Sequence, residues 1–131
     1  VKDKNALISY WLGLAKEDLK VMKSLFDFGH YPYALFIGHL AIEKLLKAFY
    51  VWKKGKHPPF THDLGRLASE SGIKLTDEQK GFLDAVTQFN IEARYPDLKL
   101  SFYKRANKKF TEKYTKDIEE FFKWLESEIK Y

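Results

Sequence analysis

The stretch Pro32-Tyr33-Ala34-Leu35-Phe36-Ile37-Gly38-His39-Leu40-Ala41-Ile42-Glu43-Lys44-Leu45-Leu46-Lys47-Ala48-Phe49-Tyr50-Val51-Trp52-Lys53-Lys54-Gly55 decides how this chain folds. At about 100° per residue, Leu35, Ile42, Leu45, Leu46 and Phe49 share one side of a helix, while Phe36 and Leu40 lie on another. A helix apolar on more than one side is either the centre of a bundle or a subunit interface, and we place it at the centre. Pro32 suits a first helical turn, where no amide hydrogen is needed. Gly55 ends the segment because glycine enters the left-handed region without steric cost.

Outward from this helix the pattern stays helical. Upstream, Leu7, Ile8, Trp11, Leu12, Ala15, Leu19, Met22, Leu25 and Phe26 recur every three or four residues, which predicts a helix from about Asn5 to Phe28 closed by Gly29. Downstream, the paired prolines of Lys56-His57-Pro58-Pro59-Phe60 make a loop. Thr61 or Asp63 then caps a short helix carrying Leu64, Leu67 and Ala68, ended by Gly72. Thr76-Asp77-Glu78-Gln79 has the form of a capping box and opens a fourth helix with Phe82, Leu83, Val86 and Phe89 inside. Pro96 biases Tyr95 towards extended backbone, so this helix stops by Ala93 or Arg94. Asp97 to about Asn107 reads as irregular and basic. A last helix runs from about Lys108 to Ile129, with Tyr114, Ile118, Phe121, Phe122, Leu125 and Ile129 as its stripe. No segment alternates as a strand does. The expectation is one all-α domain over residues 1–131, an up-and-down bundle of about five helices: two long, two short and a long C-terminal one.

Composition narrows the chemistry. The 131 residues contain no cysteine, which excludes disulfides, thiolate metal sites and thiol catalysis. No run approaches the roughly 20 apolar residues of a membrane span, and Val1-Lys2-Asp3-Lys4 does not read as a secretory leader. A cytoplasmic location without membrane attachment is expected. The net charge of +5 favours polyanions without singling one out. Seven glycines supply neither a Walker loop nor a dinucleotide fingerprint. His57 and His62 flank the Pro-rich loop, but nothing completes a metal-ligand spacing there, so neither metal nor other cofactor is expected.

Three features carry possible chemistry. His39, Glu43, Lys47 and Tyr50 follow one another along one flank of the second helix, with His39–Glu43 and Glu43–Lys47 at (i, i+4). They read either as a polar boundary stripe, Lys47 lying along the apolar surface, or as an acid, a base and a phenol set beside the core. In Asn90-Ile91-Glu92-Ala93-Arg94-Tyr95-Pro96-Asp97, Arg94 sits just before a rigid corner. Its planar guanidinium either pairs with Glu43, Asp97 or helix-end carbonyls, or holds a phosphate. Lys99, Lys104, Arg105, Lys108, Lys109 and Lys113 interleave with Phe102, Tyr103 and Phe110, a pattern that suits phosphate contact with base stacking but also a solvated loop with buried aromatics.

With these residues in view, the chain resembles the small, stand-alone prokaryotic proteins of the HEPN domain family. The resemblance rests on four motifs in order: Trp11-Leu12-Gly13-Leu14-Ala15-Lys16-Glu17-Asp18-Leu19, the Ala34–Ala48 portion of the central helix, Thr61-His62-Asp63-Leu64 and Arg94-Tyr95-Pro96-Asp97. It implies an up-and-down helical bundle, often a homodimer, that works with a minimal nucleotidyltransferase, in some cases as a toxin–antitoxin-type pair. It implies nucleotide or partner binding through His39, Glu43, Lys44, Lys47, Tyr50, His62, Arg94, Tyr95 and Asp97. Some members are ribonucleases whose Arg and His stand four to six residues apart on a helix. Here no histidine follows Arg66, Arg94 or Arg105 at that spacing. Metal-independent RNA cleavage would instead need His39 or His62 as base and Arg94 from another helix. A purely structural dimer, paired through the wide apolar face of the second helix, is the third expectation.

Overall fold

The computed structural model describes residues 2–131, and they form six helices: α1 (Lys4–Asp27), α2 (Tyr31–Lys54), α3 (Leu64–Ser71), α4 (Asp77–Arg94), α5 (Pro96–Arg105) and α6 (Lys108–Glu128). Among the described residues there is no strand. Each terminus has a local chemical reason. Asp3 caps α1 by accepting from the Ala6 amide at 3.0 Å, and Gly29 leaves it at φ 80°. The capping box of α4 is complete, with Thr76 Oγ1 accepting from the Gln79 amide and Gln79 Oε1 from the Thr76 amide. Asn107 caps α6.

Helix α2 is the centre of the bundle. From Ala41 to Val51 every residue except Lys44 is buried, because α1, α3, α4 and α6 all pack on it. Its wide apolar face is thus covered by its own chain, and the expectation that this face pairs two subunits is corrected. Gly38 lets three helices meet: a Cβ there would stand 2.7 Å from Ile118 Cδ1 and 2.9 Å from Met22 Sδ.

A second correction concerns residues 96–105, which are helical rather than irregular. Pro96 opens α5, and Lys104 and Arg105 close it. Only Phe102 along this helix is buried, stacked on Phe89 at 5.8 Å between ring centres. Arg105 bonds Glu92 and lies over both Phe102 and Phe110, so the aromatics of the basic tract largely serve the core and one of its cations fastens α5 to α4.

Candidate functional site

The polar row expected on α2 exists, and it is buried. Lys47 Nζ stands 3.0 Å from Glu43 Oε2, one helical turn away, with the Trp11 ring of α1 5.1 Å beneath the ammonium. Neither charge could rest in the core alone; pairing offsets the cost of leaving water.

The loop before α3 completes the site. Asp63 caps α3 through the Arg66 amide, Thr61 Oγ1 accepts from the Asp63 amide, and the Leu64 amide donates to Thr87 Oγ1 of α4. Pinned at these three points, the loop lays His62 across α2. The backbone carbonyl of His62 accepts from His39 Nε2 at 2.8 Å, and its imidazole Nδ1 donates to Glu43 Oε1 at 2.7 Å.

Proton positions follow from these partners. A carbonyl oxygen can only accept, so His39 carries hydrogen on Nε2, and its Nδ1 lone pair receives Asn90 Nδ2 at 3.4 Å. Burial is the largest influence on this ring and lowers its pKa, so His39 is neutral at ordinary pH. It therefore works as a brace between α2, the loop and α4. His62 differs: its side chain is 52% exposed, and its Nε2 has no partner among the described residues. The result is a solvent-facing imidazole oriented by a buried carboxylate, the arrangement by which a side chain can give or take a proton at a fixed point.

Arg94 stands on α4 one turn beyond Asn90, and both it and His62 act electrostatically on His39. Arg66 bonds Glu70 and Arg105 bonds Glu92, but among the described residues Arg94 has no carboxylate partner. Its guanidinium lies 5.8 Å over the Tyr95 ring and rims a cleft of about 80 Å³ with Pro32, Tyr33, Phe36, Ala93 and Tyr103. Hydrogen bonding to Tyr33 pushes the Tyr103 phenol up to about 12, which keeps it protonated. Tyr95 and Asp97 lie exposed at the corner that Pro96 makes.

The structure thus brings together His39, Glu43, Lys47 and His62, with Arg94 nearby. It does not join Glu43 or Asp97 to Arg94 by an ion pair. Lys44 faces away and pairs with Asp18 of α1 at 2.6 Å, and Tyr50 is buried with no polar link to the row among the described residues. Sequence reasoning missed Asn90 and Trp11. The (i, i+4) spacing of Asn90 and Arg94 was a usable signal; nothing in the sequence placed Trp11 under Lys47. Among the described residues no group of three metal-ligating side chains converges.

A family model for the HEPN domain matches residues 8–128. The chain belongs to the HEPN domain family. The HEPN fold is seen again in the crystal structure of TT1696 from Thermus thermophilus: 17% of residues are identical, 92% of this chain and 96% of that one are covered, and the TM-score is 0.78. At that identity the likeness concerns the fold. A comparison with curated proteins gave no match. No described helix of the HEPN chain is long and apolar enough to cross a membrane.

Proposed function

We propose that this HEPN domain binds a phosphate-bearing ligand, a nucleotide or a segment of RNA, at the His62–Arg94 end of the bundle, and presents it to a minimal nucleotidyltransferase, in a toxin–antitoxin-type pair. The observation that carries this reading is Arg94, an exposed guanidinium with no ion-pair partner among the described residues, beside the fixed His62 imidazole. A guanidinium and an imidazole both donate to phosphate oxygens. Glu43 orients His62, while Lys47 balances the Glu43 charge from within the core. His39 holds the loop in place, and Tyr95 and Asp97 lie where a partner could meet the ligand. Parent protein, Arg94→Ala and His62→Ala are titrated with ATP and with a short oligoribonucleotide. Loss of about 1.5–3 kcal/mol per charged hydrogen bond predicts binding weakened tenfold or more. Equal binding by all three proteins overturns the assignment.

The Glu43–His62 pair supports a second reading, metal-independent RNA cleavage. In it His62 Nε2 takes the proton of a 2′-hydroxyl, the freed oxygen attacks the adjacent phosphorus, the 5′-oxygen leaves with a proton from solvent, and Arg94 meets the added phosphorane charge. His39, fully buried, is out of reach of such a substrate. Cleavage that His62→Ala abolishes supports this reading; RNA left intact over a long incubation opposes it.

A further inference from the structure

Helix α1 has two usable faces. Ile8, Leu12, Ala15, Leu19, Met22 and Phe26 turn towards the bundle. Tyr10, Leu14, Glu17, Val21, Ser24 and Phe28 form a second row on the other side, in alternating steps of four and three residues. That is the spacing of a helix–helix seam, and it continues to the helix end although nothing in the chain covers it: Tyr10 is 57% and Phe28 81% exposed, and Val21 is exposed between them.

We propose that this seam joins two copies of the chain, with their α1 helices antiparallel about a two-fold axis level with residue 19. In that register Tyr10 faces Phe28 of the second copy, Leu14 faces Ser24, and Glu17 faces Val21, each pair occurring twice as an isologous contact requires.

Charge selects this orientation. Glu17 and Lys20 are exposed, and among the described residues neither has an ion-pair partner, whereas the neighbours Lys16, Asp18 and Lys23 are paired to α6 or α2. Antiparallel packing brings Glu17 of each copy within reach of Lys20 of the other. Parallel packing would set Glu17 against Glu17, a like-charge contact at the seam. Gly13, with no atom within 4 Å of a Cβ built there, leaves room for a second helix to approach on this flank. A strip one helix wide covers less than the roughly 800 Å² per partner of a standard interface, so the dimer is concentration-dependent. The contact is independent of ligand binding at His62 and Arg94.

The chain has no cysteine of its own, so introduced ones report the register directly. Sedimentation equilibrium from micromolar to millimolar protein is predicted to show a monomer–dimer equilibrium. Val21→Lys, a surface change that leaves the helical circular dichroism intact, is predicted to weaken it at least tenfold. On mild oxidation, Tyr10→Cys mixed with Phe28→Cys gives a cross-linked heterodimer, while neither variant links to itself. A monomer at every concentration, a dimer indifferent to Val21→Lys, or self-linking of Tyr10→Cys overturns the proposal.

Discussion

Glu43 Oε1 and His62 Nδ1 stand 2.7 Å apart, joining a carboxylate that is nearly out of solvent to an imidazole that is half in it. The other oxygen of Glu43 holds Lys47 at 3.0 Å. One buried acid therefore serves two neighbours: it keeps an ammonium in the core and fixes the aim of the exposed ring.

Removing one member of the pair leaves the other charged and buried. Glu43→Gln and Lys47→Met are each predicted to lower stability by about 3–5 kcal/mol. The double variant, with both charges gone, regains a large part of that loss. Urea denaturation of the four proteins measures the coupling.

His39 sets a pH dependence. Its folded pKa lies below the ordinary 6.5, first because of burial, so on acidification the unfolded chain takes up a proton that the folded chain refuses. The stabilisation is complete above about pH 6.5 and is lost as pH falls from there through the lowered folded value. Around the ring stand Glu43, Asn90, His62 and Arg94, and burial outweighs the charges among them. His39→Gln, whose amide nitrogen can replace Nε2, is predicted to flatten the slope between pH 6.5 and 5, which approaches about 1.4 kcal/mol per pH unit for one such group. Thermal melts across that range test it.

Arg94 separates binding from folding. It is exposed and makes no ion pair among the described residues, so Arg94→Ala is predicted to change stability by no more than about 0.5 kcal/mol. Denaturation and ligand titration on the same preparation check that the binding loss is not a folding defect.

Gly38 reports on packing. Its missing Cβ would crowd Ile118 and Met22, both fully buried, and Gly38→Val is predicted to cost about 1–3 kcal/mol by overpacking. Chemical denaturation measures it.

The fold was legible because its helices announce themselves locally. Gly29, Gly55 and Gly72 end α1, α2 and α3 at positive φ, and Thr76 with Gln79 opens α4. Helix α5 was not legible. Pro96 marked its start, but with Phe102 as its one buried residue it lacks the repeating apolar stripe by which a helix is recognised. The row His39–Glu43–Lys47 could be read because helical spacing fixes it. The joining of Glu43 to His62 could not, since it depends on where a loop 19 residues away is laid down. The expected Glu43–Arg94 pairing failed for the same reason: Lys47 and His62 occupy the carboxylate first.

The most direct test of the central claim is a chemical-shift titration of the isotope-labelled protein with ATP, followed at the backbone amides and the histidine rings. The account predicts saturable shifts centred on His62 and Arg94, spreading to Glu43 and abolished in Arg94→Ala. An unchanged spectrum at millimolar ATP, or shifts that persist in Arg94→Ala, would contradict it.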